Sequence, residues 1–201
     1  MNENKSTNWN WNDYFDNVID PPMRETVGHA LEQLGKGQGR KAVDLGCGSG
    51  NDTVHMIKAG FQVEAVDASA DGLARLRARP ELAEYKNYTT EQALFEIVKL
   101  PHNIWTNAGF ALPFSTHEVF NKLWRHIYKR LDKGGVFSGQ LFGINDSWNG
   151  KVSDMNFHDH DGIKNLLAPY DVHHFREEEQ DGTDAVGRAK HWHIYHIVIQ
   201  K

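Results

Sequence analysis

Asp44-Leu45-Gly46-Cys47-Gly48-Ser49-Gly50 puts glycine at every second position of a short loop, with an acid ahead of it and Asn51-Asp52 behind it. Glycine adopts φ > 0 and lets a ligand lie against the backbone where a Cβ would stand in the way, so the spacing suits a nucleotide-type cofactor. A tight strand-to-helix turn holding no ligand is the plain alternative. A dinucleotide asks for G-x-G-x-x-G, which seats a pyrophosphate on the following helix N-terminus. Here the sixth position is Asn51, and the Asp52 carboxylate at that terminus repels phosphate. A nicotinamide-dependent oxidoreductase is therefore disfavoured. A further acid, Asp67, closes the next apolar run twenty-one residues after Gly46.

The elements that must position these groups follow from periodicity. Met23, Val27, Ala30, Leu31 and Leu34 recur at helical spacing behind Asp20-Pro21-Pro22 until Gly35 and Gly37 stop them. Ala42 to Leu45 reads as a strand running into the glycine loop, Asn51 to Ala59 as a helix, and Val63 to Val66 as the next strand. Leu73 and Leu76 mark a short helix before Pro80, and strands are expected near Asn87 to Thr90 and over Ile104 to Phe110. Ser115 with Glu118 has the form of a capping box. Behind it Val119, Leu123, Ile127 and Leu131, widened by Phe120, Trp124 and Tyr128, form one apolar stripe that Asp132-Lys133-Gly134-Gly135 ends. A strand over Val136 to Phe142 follows, then a short helix near Gly162 to Leu167. Tyr170 to Phe175 and His191 to Ile199, flanking Gln180-Asp181-Gly182, predict a closing β-hairpin. Alternating strands and helices imply an α/β fold, a Rossmann-like doubly wound, mostly parallel sheet whose ligand site lies at the carboxyl ends of the strands.

The alternating glycines preceded by Asp44, together with Asp67 at the end of the next strand, resemble the first two motifs of class I S-adenosylmethionine-dependent methyltransferases. Arg130-Leu131-Asp132-Lys133-Gly134-Gly135-Val136-Phe137 resembles that family's Gly-Gly entry to its fifth strand, and the paired C-terminal strands resemble its hairpin. The resemblance spans roughly residues 22 to 201 and implies a seven-stranded sheet with a C-terminal antiparallel β-hairpin. S-adenosylmethionine carries no phosphate, which accounts for the acid at the helix start. The resemblance assigns Asp67 to the ribose diol, with Ala68 beside it, and Gly46, Cys47, Gly48 and Asp52 to the loop around the cofactor. Asp44 would orient the loop or the cofactor's ammonium. Leu94, Phe95 and Glu96 fall where the family lines the adenine, and core packing explains the first two equally well. Asn107 and Ala108 open Asn107-Ala108-Gly109-Phe110-Ala111-Leu112-Pro113-Phe114 beside the transferable methyl, where Phe110 and Phe114 would wall its path, though packing alone explains both rings equally.

The acceptor is less legible. Nucleic-acid amino-methyltransferases place Asn/Asp-Pro-Pro-aromatic at that position, and here it reads Asn107-Ala108-Gly109-Phe110; Asp20-Pro21-Pro22-Met23 lacks the stacking aromatic and reads as a helix entry. With 22 Lys plus Arg against 27 Asp plus Glu, net charge −5, nothing draws the chain to nucleic acid or anionic lipid. A small-molecule substrate is the expectation, with no appended recognition domain in one unit over residues 1–201, as monomer or homodimer. The chain resembles the short bacterial methyltransferases grouped with TehB-type tellurite-resistance proteins and thiopurine-methyltransferase-like enzymes. An oxyanion acceptor needs cations, which Arg188, Lys190, His191 and His193 would supply against Glu177-Glu178-Glu179.

In-line displacement from a sulfonium needs alignment and exclusion of water more than acid-base chemistry. If a base is used, His191, His193 and Glu179 are the candidates, and Trp148 stands ready to flank the substrate or simply to cap a loop. A non-catalytic S-adenosylmethionine-binding regulatory protein is the alternative. Twelve histidines accompany a single cysteine, Cys47, which excludes an internal disulfide; no metal site is expected. No run approaches the roughly 18 apolar residues of a membrane helix, and a cytoplasmic location is expected. Trp9, Trp11, Tyr14 and Phe15 make the segment 1–20 too aromatic for a solvent tail; it would either close as a lid, with Tyr14 or Arg24 near the cofactor's methionine end, or pack as an ordinary patch on the sheet edge.

Overall fold

The computed structural model describes residues 11–18 and 21–201; Trp9 and Asp20, singled out above, lie outside them. Helix α1 (Trp11–Asn17) and helix α2 (Glu25–Leu34) precede strand β1 (Lys41–Leu45), helix α3 (Asn51–Lys58), strand β2 (Gln62–Asp67) and helix α4 (Ala70–Arg77). Strands β3 (Tyr88–Gln92) and β4 (Asn103–Ala108) lead to helix α5 (His117–Arg130), strand β5 (Leu131–Phe142), helix α6 (His160–Leu167) and strands β6 (Asp171–Thr183) and β7 (Ala189–Gln200). The seven strands form one sheet in the order β3-β2-β1-β4-β5-β7-β6. β1 to β5 run parallel to one another, and β7 inserts antiparallel between β5 and β6.

Strand alternation distributes the core. Ala42 packs with Val27, Ala30, Met56, Ile57 and Leu76 from α2, α3 and α4, whereas Val43 packs with Phe120, Leu123 and Ile127 from α5 and with Ile163 from α6. The sheet is thus covered on both sides, which a parallel sheet requires. The chain leaves β1 toward β2 on one hand and β4 toward β5 on the other, so a crevice opens between the carboxyl ends of β1 and β4.

Three local readings need correction. The cap of α5 is Thr116, whose hydroxyl accepts from Val119 N, while the Ser115 hydroxyl is buried and donates to the Leu112 carbonyl at 2.8 Å. The chain enters the Gly134-Gly135 turn already paired, because β5 begins at Leu131 and Gly134 N bonds to the Lys201 carbonyl. The hairpin turn is not Gln180-Asp181-Gly182, which pair with Trp192, His191 and Lys190. It lies beyond Thr183, where Asp184 accepts from Val186 N at 3.1 Å and Arg188 N at 2.9 Å and pairs with the Arg188 guanidinium at 2.7 Å. A carboxylate that satisfies two turn N–H groups is a stronger turn signal than the Asp-Gly pair inside the strand.

Asp184→Ala should therefore cost about 1–2 kcal/mol of stability, read by urea unfolding, whereas Asp181→Ala, whose carboxylate is exposed, should stay within about 0.5 kcal/mol.

Candidate functional site

Asp44, next to last in β1, stands in register beside Asn107 of β4, and both are buried. The Asn107 amide nitrogen donates to Asp44 Oδ1 at 2.9 Å and to Asp52 Oδ2 at 3.1 Å, spending both its protons on two carboxylates. Its oxygen accepts from Ser138 Oγ at 2.7 Å, and Ser138 Oγ in turn accepts from Trp105 Nε1 at 2.8 Å. Thr53 Oγ1 donates to Asp44 Oδ2 at 2.5 Å. Asp52, in the first turn of α3, takes the Arg24 guanidinium at 2.6 Å, and that guanidinium also lies 5.5 Å from the centroid of the Phe110 ring. Burial, and then the charge of Asp52, push the Asp44 carboxyl up to about 7 against the bonds from Thr53 and Asn107. Burial works against the Arg24 charge, but Asp52 outweighs it and the guanidinium's pKa is raised.

The glycine loop lies between this network and Asp67. Asp67 accepts from Gly48 N and from Ser69 N, each at 2.7 Å, and burial raises its pKa despite those bonds. Gly46 sits at φ +67, and a Cβ there would lie 2.4 Å from the Ala111 methyl. Gly48, at φ +52, would bring a Cβ within 3.0 Å of the Phe15 ring. The loop is a cradle that side chains would fill. The Cys47 thiol is held well above its usual pKa by burial and by Asp44 and Asp67, so it is neutral filler and no nucleophile.

The cleft over the loop is lined by Tyr14, Arg24, Asp44, Gly46, Cys47, Gly48, Asp52 and Gly109, among others. Phe15 is buried under α1, and Trp11 meets Phe114 edge-on at 5.0 Å. Ala68 is next to Asp67, with its carbonyl bonded by Gln92 Nε2. Phe95 reaches within 3.4 Å of the Cβ that Gly46 lacks, while Leu94 is 46% exposed. Ala108 ends β4 fully buried, and Gly109 follows it at the cleft; a Cβ on Gly109 would lie 2.3 Å from Asp52 Oδ2. β4 stops two residues earlier than its apolar run suggests, because Phe110 turns into the left-handed region at φ +53. Its N–H is held by Gln140 Oε1 at 3.2 Å, and Gln140 Nε2 donates to the buried Thr26 hydroxyl. Sequence reasoning passed over Gln140, Ser138 and Thr53; the available signal was two polar side chains inside the apolar run Val136 to Phe142.

Beyond Phe110 the rings of Phe114, Phe142 and Trp148 lie with centroids 6.1 Å apart from one another. Lys190 enters this group 3.5 Å from the Trp148 centroid and is ion-paired to Asp146, both charges being buried. His191, His193 and Glu179 are not brought to the cleft. His191 lies between Asp181 at 2.7 Å and Glu179 at 3.3 Å. His193 is buried, with Nε2 against Glu177 at 2.9 Å and Nδ1 accepting from Asn145 N. Arg188 is spent on Asp184 at the hairpin turn. Among the described residues no three His, Cys, Asp or Glu side chains are grouped to hold a metal ion, and no helix is long and apolar enough to cross a membrane.

Residues 42–135 match the family model for a methyltransferase domain. An uncharacterized methyltransferase of Synechocystis is 27% identical over 113 residues, which cover 54% of this chain. The match spans only 50% of that curated relative's length. Among solved structures, TehB from Haemophilus influenzae superposes with a TM-score of 0.76 at 16% identity, over 95% of this chain and 67% of that one. A 1,6-didemethyltoxoflavin-N1-methyltransferase of Burkholderia thailandensis, solved with bound 1,6-didemethyltoxoflavin and S-adenosylhomocysteine, gives a TM-score of 0.65 at 18% identity, over 94% of this chain and 84% of that one. At these identities the likeness is one of fold.

The raised Asp44 carboxyl has a consequence for stability. Below the unfolded value near 3.9 the group is protonated in both states; between there and about 7 only the folded state keeps the proton, so this contribution is lost as pH rises through that window. Wild-type stability minus that of Asp44→Asn should fall by up to about 1.4 kcal/mol per pH unit between roughly pH 4 and 7 and then level off, measured by urea unfolding. Parallel curves would mean that Asp44 is ionised throughout.

Proposed function

Because residues 42–135 carry a methyltransferase domain on a class I S-adenosylmethionine-dependent methyltransferase fold, we propose that this protein binds S-adenosylmethionine and methylates an uncharged small-molecule acceptor. The observation that carries the reading is the glycine cradle ending at Asp67, a carboxylate held by backbone N–H groups that still has acceptor capacity to spare. The residues fit the cofactor: Asp67 and Ala68 for the ribose, Phe95 and Leu94 for the adenine, and the bare backbone of Gly46 and Gly48 for close approach. When bound, the cofactor supplies an electrophilic methyl group.

The chain's own part is to align and to exclude water. Ala108 and Gly109 leave room beside β4, and Phe110, Phe114 and Trp148 offer an apolar wall to the acceptor. No acid-base group among the sequence candidates lines the cleft, which supports transfer to a nucleophile that needs no base, such as a neutral amine or a chalcogen lone pair. Among the described residues Arg24 and Lys190, two cations next to the rings, are each paired with a buried carboxylate, and this favours a neutral acceptor over an oxyanion. α1, with Tyr14 at the cleft and Phe15 on the loop, serves as the lid.

Calorimetry with S-adenosylmethionine and S-adenosylhomocysteine tests the cofactor; binding of neither ends the reading. Asp67→Ala should weaken binding by about 1.5–3 kcal/mol, the worth of a hydrogen-bonded charge. An acceptor screen over thiols, amines, phenols, selenite and tellurite, read as S-adenosylhomocysteine release, should favour the neutral compounds. Cofactor binding without turnover of any of them would point instead to a binding protein.

A further inference from the structure

Arg24 and Asp52 face each other across the cleft at 2.6 Å, the guanidinium's carbon over Phe110 and the carboxylate also bridged to Asp44 by Asn107. Their side chains are only 18% and 7% exposed, so neither charge is left to water. A carboxylate and a guanidinium removed from water must each keep a partner, and a buried pair broken on one side is far costlier than the pair itself was worth. Gly109, where a Cβ would strike Asp52 Oδ2 at 2.3 Å and Arg24 Nη1 at 3.4 Å, leaves the space beside both groups open. The pair therefore borders the same cleft as the glycine loop, and it offers one negative and one positive group to whatever enters there.

We propose that Arg24 and Asp52 hold the amino-acid end of the cofactor by exchange of partners: Asp52 releases Arg24 and takes the cofactor's ammonium, while Arg24 takes its carboxylate. This rests on the cofactor reading above. The exchange keeps the buried charge balanced, because a zwitterion enters a neutral pair and each of the four charges ends beside one of opposite sign. A ligand bearing only one of the two charges breaks the pair and leaves a buried group unmatched. The two ends of the ligand are therefore recognised jointly and not additively, and Asn107 keeps Asp52 in place while its partner changes.

The test compares three probes on the intact chain by calorimetry: S-adenosylhomocysteine, with both charges; decarboxylated S-adenosylhomocysteine, with the ammonium alone; and 5′-methylthioadenosine, with neither. S-adenosylhomocysteine should bind on the order of 30-fold tighter than 5′-methylthioadenosine, and the decarboxylated probe should gain no more than about twofold over the latter. In Arg24→Met the carboxylate of Asp52 has lost its partner, so the decarboxylated probe should bind about tenfold tighter than it binds the wild type, while S-adenosylhomocysteine binds more weakly. A damaged fold produces no gain. Asp52→Asn should weaken S-adenosylhomocysteine about tenfold or more and leave 5′-methylthioadenosine within about twofold. A decarboxylated probe that already binds the wild type far more tightly than 5′-methylthioadenosine, or that binds Arg24→Met no better, overturns the exchange. Should Arg24→Met not fold, the three-probe series on the wild type decides alone. A wild type that binds neither S-adenosylhomocysteine nor 5′-methylthioadenosine overturns the cofactor reading itself.

Discussion

The site hangs on one amide. Asn107 gives both protons of its side chain to carboxylates, Asp44 and Asp52, that water scarcely reaches. Two acids so placed repel each other and resist burial, and each bond they receive offsets part of that cost. Asn107 meets the demand only because its oxygen is fixed by Ser138, which is fixed by the indole of Trp105, fully buried in the core. The packing of β4 against β1 and β5 thereby reaches into the chemistry of the loop. The charge left over calls for a cation, and Arg24 supplies it from the residue before α2. The start of α2, the loop and the sheet thus share a single electrostatic constraint.

Across the crevice the constraint is of the opposite kind. Phe110, Phe114, Phe142 and Trp148 present rings, and Lys190, whose ammonium lies among them, is already satisfied by Asp146 and by the faces of Trp148 and Trp192. Asp146 also accepts from Trp148 N at 2.9 Å, so the ion pair sets the loop after β5 and the ring it carries. A polar, charge-balanced half and an apolar half meet at Gly109. Such a division suits a reaction in which a charged donor gives up a small apolar group, since the acceptor side needs shape and dryness more than charge.

Much of this was legible in the sequence because it depends on local rules. The alternating glycines, the acids that bracket them and the period of the α5 stripe declare themselves within a few residues. Where several residues compete for one local role the sequence was less clear: Thr116 displaced Ser115 as the cap of α5, and Asp184 displaced Asp181-Gly182 as the turn of the hairpin, in each case because the winner satisfies a backbone N–H that the loser leaves free. Pairings across long stretches of chain, Lys190 with Asp146 or Gln140 with Thr26 and Phe110, leave only a faint trace, a polar residue amid apolar ones.

The misplaced histidines show where local rules stop. Period two correctly gives His191 and His193 a common face, but it is silent on which side of the sheet that face lies. Tyr195, Ile197 and Ile199 decide it, because they belong to the core under α5 and α6, and residues 191 and 193 must follow their parity. Asp44 shares the parity of Ala42, which packs with α2 and α3 on the other side. The residues of β7 that approach the cleft are then the even ones: Lys190 lies 5.5 Å from the Phe142 ring, Trp192 lies 5.6 Å from Trp148, and His196 lies 6.2 Å from Phe110. A single antiparallel strand inserted between β5 and β6 thus decides which half of a histidine-rich segment can take part in chemistry, and it does so through the apolar residues of that strand.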